Sequence, residues 1–280
     1  SVMFSDIKEE LISDNLFHNR LNFYLYPSSN LSMTLQLRNR FIYGESISVF
    51  PGYEESFSEQ NNWLNLSWNA LHEKSFLLNL MLDRAWVRYS MGDFVVTAGR
   101  QRINWGQGFV WNPNDIFNVQ NFFDFDYPEK PGSDAVRLQY YPDYTSTAEL
   151  AASLNHEGKV TAAGYYRFNA VGYDFQFLGG IYSESDWIAG AGWSGDIKGA
   201  GFRGEATWLW PAEGRDSGRI FHAMLSLDYT FTHSLYLQLE SLYTWESVKS
   251  SSGGFFEYYM DALSIKRLSF SELNFFARIS

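Results

Sequence analysis

Apolar and polar residues alternate with a period of two along most of this chain, and that alternation limits its possible folds more than any other feature. In "LNFYLY", Leu21, Phe23 and Leu25 share one face while Arg20, Asn22 and Tyr24 share the other. After the turn "PSSN", the run "LSMTLQLRNRF" sets Leu31, Met33, Leu35, Leu37 and Phe41 against Ser32, Thr34, Gln36, Arg38 and Arg40. Two alternating runs joined by a tight turn read as a hairpin. The same unit returns in "AVRLQYYPDYTSTAELAASL", "KVTAAGYYRFNAVGYDFQFLGG", "DWIAGAGWSGDIKGAGFRGEATWLW" and "RIFHAMLSLDYTFTHSLYLQLESLYTW". Each run has about 9 to 12 residues, the length a tilted strand needs to cross a hydrocarbon layer, whereas soluble strands average about 5 or 6.

The connections support the same reading. Those near Pro27–Asn30, Ser90–Asp93, Pro142–Tyr144, Asn169–Gly172, Ser194–Gly199 and Thr232–Ser234 are short, whereas those at 46–73, 104–134, 211–218 and 246–256 are mostly long. Short turns on one rim and long loops on the other are the pattern of outer-membrane barrels. Aromatic residues make up 19% of the chain. Several fall near strand ends, among them Tyr24, Tyr43, Tyr140, Trp187, Trp208, Trp210 and Trp245, where interfacial girdles form. The predicted fold is therefore all-β: a single transmembrane antiparallel up-and-down β-barrel domain over 1–280, with 46–73 and 104–134 as long extracellular loops. A soluble β-sandwich or propeller explains the alternation but not the strand lengths and loop pattern together.

About 12 to 14 strands are visible. The first strong hairpin closes on a short turn and "LNFFARIS" opens an alternating run, so the barrel is expected to be incomplete, with further strands beyond this sequence. On this pattern Leu35, Leu37, Phe175, Phe177, Leu237 and Leu239 face lipid. Arg38, Arg40, Gln139, Arg167, Gln176 and Glu205 face the lumen.

Composition excludes several functions. A formal net charge of −11 with no basic run argues against a nucleic-acid partner. Cysteine is absent, which removes disulfides, thiolate catalysis and thiolate-bound metals. His18, His72, His156, His222 and His233 lie in no HExxH motif or nucleophile triad, so no enzyme activity and no cofactor are expected. Asp124, Asp126, Glu129 and Asp134 do not have the spacing of an EF-hand loop, and no metal site is assigned.

The lumenal face therefore carries the functional reading. Arginines gather in the first part of the chain: Arg38, Arg40, Arg84, Arg88, Arg100, Arg102 and Arg137, with Gln139, Arg167, Arg203 and Glu205 also read as pore-lining. Acids dominate later polar faces, at Glu149, Asp174, Glu205, Asp228 and Glu240. One basic and one acidic wall would orient polar solutes. Alternatively, the arginines pair with lumenal acids and plug the barrel. Two breaks of phase, near Asp83 and Gly99, call for β-bulges.

The stretch "GRQRINWGQGFVWNPNDIF" leaves a strand through glycines and a proline turn into a loop too long for a simple connector. Trp105, Trp111, Asn112, Pro113, Phe122 and Phe123 are its mouth residues. The loop either folds into the barrel and narrows it, or lies outward as an aromatic platform for a glycan or protein, or packs only on itself. Its Gly99, Arg100, Gln101, Trp105 and Gly106, followed by Asn112–Pro113, resemble a strand-and-loop signature of alginate-export and related porin-like outer-membrane families. That resemblance implies a barrel in the outer membrane, surrounded by lipid, that passes a hydrophilic or anionic solute. The alternative function is a non-transporting barrel subunit of a larger outer-membrane complex, with the long loops as docking surfaces for protein partners.

Overall fold

A computed structural model describes residues 2–5, 10–49, 62–118, 132–212, 218–248, 264–269 and 271–280. Fifteen strands form one antiparallel sheet. They are β1 (Val2–Ser5), β2 (Glu10–Leu25), β3 (Leu31–Gly44), β4 (Ser67–Glu73), β5 (Phe76–Met91), β6 (Phe94–Gln101), β7 (Ser133–Tyr140) and β8 (Thr147–Leu154), followed by β9 (Val160–Ala170), β10 (Tyr173–Tyr182), β11 (Asp186–Ile197), β12 (Ala200–Pro211), β13 (Ile220–Thr230), β14 (Tyr236–Glu246) and β15 (Leu273–Ile279). Each strand pairs with the next in sequence, except that β5 pairs with both β3 and β6 while β4 joins it from the side. Among the described residues β1 and β15 are the two edges, and the sheet does not close on itself.

The sequence expectation for 46–73 is corrected here. Part of it is α1 (Ser46–Val49), and Ser67–Glu73 is a strand rather than loop. The reason lies in β5, which is 16 residues long, whereas β6 pairs with it only from Ala85 onward. The rest of that edge would be left with open N–H and C=O groups, and β4 satisfies them from Phe76 to Met81.

The two faces follow the alternation. Leu35, Phe177 and Leu239 are exposed, and Leu37, Phe175 and Leu237 lie on the same outer face, half-buried by neighbours. Phe23, Val136, Leu150, Trp208, Leu225 and Trp245 extend this exposed apolar surface. So large an apolar surface is stable only against lipid or another apolar partner. Facing inward, Gln139, Gln176, Glu205, His222, Gln238 and Glu240 are buried polar residues. The core therefore sits on the concave side. Ile103, Trp105, Ile116, Leu178, Ile188, Leu209 and Ile265 form one cluster there, drawn from the wall and from two loops.

The expected break near Asp83 is a β-bulge: the β3–β5 register shifts between Gln36 and Leu37, and Asp83 is the extra residue. The break at Gly99 is not a bulge. Register with β5 and β7 continues through Gly99 and Arg100. Gly99 instead absorbs the local twist at φ 112°, where a Cβ would collide with the carbonyl of Ala85.

Candidate functional site: the inward face and its loop

The segment that follows β6 does not leave the barrel; it turns into the concave side. Its start and end are tied together, since Asn118 Oδ1 accepts from the Ile103 N–H at 2.6 Å and Asn118 Nδ2 donates to Ser133 Oγ at 3.0 Å. Between those ties the chain reaches β8, β10, β11, β12 and β14. One short segment can touch so many strands only if the sheet curls around it.

Trp105 is the apolar anchor. Its indole stacks on Tyr165 with centroids 5.0 Å apart, and Phe117 meets it edge-on at 5.0 Å. Its Nε1–H donates to Glu149 Oε2 at 2.8 Å, which satisfies the one polar group that burial would otherwise strand. Gln176 on β10 then donates to the Trp105 carbonyl at 2.9 Å and accepts from Gln107 Nε2 at 2.7 Å and Tyr165 Oη at 3.1 Å.

The next residues are held through their main chain. Glu205 on β12 accepts from the N–H groups of Gln107, Gly108 (3.1 Å) and Asn114 (2.8 Å). Glu240 on β14 accepts from those of Phe109 (3.1 Å), Val110 (3.0 Å) and Trp111 (2.6 Å). Successive amides converging on a carboxylate form an anion nest, here wrapped around the protein's own side chains. Asn114 completes the dock by donating to the Ala191 carbonyl at 3.0 Å and accepting from Thr207 Oγ1 at 2.7 Å. Gly190 makes room for it, since a Cβ there would collide with Asn114 Oδ1.

The acids of the later wall are therefore committed. Glu149 pairs with Arg137, through Nε at 2.9 Å and a terminal nitrogen at 2.6 Å, and accepts from Gln139 at 2.9 Å. Asp228 pairs with Arg203, whose guanidinium also lies 4.3 Å from the Phe109 ring centroid. Asp174 accepts from Asn169 at 2.8 Å. Glu205 and Glu240 hold the loop.

On the opposite wall Arg20, Arg38, Arg40, Arg84 and Arg88 share the inward face, with Asp14 and Asp83 among the acids beside them. Arg20 pairs with Asp83 and Arg38 donates to His18 Nε2 at 3.0 Å. Arg40 donates to Asn79 Oδ1 from Nε at 3.2 Å and from a terminal nitrogen at 2.8 Å. Arg84 donates to the Asp83 carbonyl at 2.8 Å. Arg88 donates to Thr97 Oγ1 at 3.3 Å and lies 4.7 Å from the Trp86 centroid.

Arg167 shares the inward face and is exposed toward the short-turn rim. Arg102 is exposed where the loop begins. Arg100 departs from the pore-lining expectation. Its register partners are Ala85 and Asp134, which places it on the outer face with Ala98 and Val96. It is nevertheless buried, because Nε donates to Asp134 Oδ1 at 2.8 Å while a terminal nitrogen bonds the Leu64 carbonyl. Asp134 also accepts from the Leu64 N–H at 2.8 Å, so this pair is a seam for the segment entering β4.

Of the mouth residues, Trp105, Asn112 and Pro113 are buried and Trp111 is half-buried; Phe122 and Phe123 lie outside the described residues. Trp105 serves as an internal anchor of the loop, since both its ring and its N–H are engaged. Sequence reasoning named Glu240 only as an acid of the later faces and missed Gln107 and Asn114 altogether. The available signal was a glutamate at an inward mid-strand position opposite inward glycines such as Gly190 and Gly192.

The lipid-length strands, the apolar outer face and the two unlike rims together define an outer-membrane-type β-barrel sheet. No family model matches the sequence, and no curated protein matches it. Among solved structures, the chain is similar to OpdK, an outer membrane protein of Pseudomonas aeruginosa (TM-score 0.49, 11% identity, 88% of this chain and 66% of that one). It is also similar to OccAB3 of Acinetobacter baumannii (0.48, 10%, 82% and 60%) and OmpT, an outer membrane protein of Vibrio cholerae (0.41, 10%, 84% and 79%). The chain thus spans less than two thirds of the length of OpdK and OccAB3. At these values the likenesses say nothing about solute or residue roles.

Proposed function

We propose that this protein is a bacterial outer-membrane channel for a hydrophilic, anionic solute. The observation that carries the reading is the unequal charge of the two inward walls. Among the described residues, five arginines (Arg20, Arg38, Arg40, Arg84 and Arg88) gather on the inward face of one wall, whereas the acids of the opposite wall are engaged with Arg137, Arg203, Asn169 and the loop. The field left in the lumen is positive on one side. Arginine suits that role because it keeps its charge when confined and offers paired donors to carboxylate, sulfate or phosphate. The inward loop narrows the passage, and surrounding lipid covers the outer face.

Reversal potentials in planar bilayers test the reading. Wild-type protein is expected to prefer anions, and Arg38→Glu with Arg40→Glu to move the preference toward cations. A second reading rests on the apolar cluster on the concave side, which fills part of the lumen as a plug would. In that case the barrel is a non-transporting subunit whose loops dock protein partners. Electrical silence, both in the full protein and with residues 107–114 replaced by two glycines, would favour it.

A further inference from the structure

Glu205 and Glu240 are 1% and 2% exposed, and among the described residues neither forms an ion pair. A buried carboxylate without a cation is costly unless hydrogen bonds compensate its charge. Here the donors are three main-chain N–H groups on each, all from residues 107–114. That segment, "QGFVWNPN", carries no ionisable side chain. The loop therefore compensates the two charges with dipoles alone and hides them from the lumen.

We infer that residues 107–114 act as an electrostatic mask, and that Glu205 and Glu240 determine the charge selectivity of the channel by being covered. This rests on the channel reading and adds to it. A loop that only narrowed the passage would change conductance when removed. A loop that masks two carboxylates also changes which ions pass: without it, two negative charges join the lumen wall opposite the arginines, and the field that favoured anions is cancelled from across the pore. With the loop seated, a solute on that side meets Phe109, 49% exposed beneath the Arg203 guanidinium, in place of carboxylate oxygens.

The experiment is a four-way comparison in the full protein: wild type, Glu205→Gln with Glu240→Gln, residues 107–114 replaced by two glycines, and the replacement combined with both glutamine changes. Reversal potential under a salt gradient is the readout, and the heat-dependent gel shift of folded barrels verifies folding. The loop replacement alone is expected to lower the anion-to-cation permeability ratio about threefold or more, and the combined variant to return it near the wild-type ratio. An equal shift in both backgrounds would overturn the mask.

A readout that does not depend on conduction keeps the two readings apart. Ser226 lies on β13 between Arg203 and Glu240 in register, is 1% exposed, and belongs to a chain without cysteine. Ser226→Cys is thus a single reporter beneath the loop. Its labelling by a membrane-impermeant thiol reagent should rise at least about tenfold when the loop is replaced. Unchanged labelling would refute the mask even in a conducting protein. Faster labelling in a protein that passes no current would uphold the mask and reject the channel. If the replacement fails to fold, Gly108→Val takes its place, because a Cβ at Gly108 collides with the Trp111 carbonyl and displaces the turn from within.

Discussion

Arg40 on β3 and Glu205 on β12 hold comparable positions: both sit mid-strand, face inward and are buried. Arg40 bonds to Asn79 on the neighbouring strand, which in turn donates to Ser67 and Asn69 on β4. Glu205 bonds to the main chain of a loop whose residues lie more than ninety positions away in sequence. In the β2–β5 wall Arg40 is thus held by side chains of adjacent strands. The β7–β14 wall is completed by a segment that must fold into it. Changes in the first wall should alter charge while leaving the backbone in place; changes in the second should move the loop.

The largest expected effect is at the loop's apolar anchor. Trp105→Ala removes the Tyr165 stack, the Phe117 contact and the Glu149 bond, and is expected to cost about 3–5 kcal/mol, read as a lower urea midpoint for the folded protein in detergent. Were Trp105→Ala to cost no more than an exposed substitution, the second wall would not depend on its loop.

Next is the seam between the walls. Arg100→Ala leaves Asp134 buried without its cation and is expected to cost about 3 kcal/mol by the same measurement, with selectivity unchanged because Arg100 faces outward. A clear shift in reversal potential would return Arg100 to the lumen.

A pair of glycines sharpens the contrast further. Gly190→Ala, on the inward face, drives a methyl into Asn114 and is expected to cost about 1–3 kcal/mol and raise conductance. Gly179→Ala, on the outer face, meets only the Ile188 carbonyl at 3.8 Å and should change neither. Similar costs at both positions would break the assignment of faces.

The smallest effect lies on the short-turn rim. Val171 and Gly172 form a two-residue hairpin turn at φ 53° and 78°, and a β-branched residue is poorly suited to the first position. Val171→Asn is expected to stabilise by roughly 0.5–1 kcal/mol, with no change in conductance.

The alternation, the unequal rims, the bulge at Asp83 and the outward placement of Leu35, Phe177 and Leu239 were all legible in the sequence. Each depends on a period of two and on local turn chemistry, which neighbouring residues reveal. Arg100 was misread because phase was assumed to break at Gly99, whereas glycine's freedom let the register run on. β4 was hidden in a loop because only the unpaired edge of β5 calls for it. The seating of "QGFVWNPN" against Glu205 and Glu240 was decided by tertiary structure alone. Its donors are main-chain N–H groups, which every residue except proline possesses, so the bonds leave no side-chain signature in the loop. The inward parity of the two glutamates could be read from their strands. What covers them could be known only once the sheet had curled and brought the loop across to meet them.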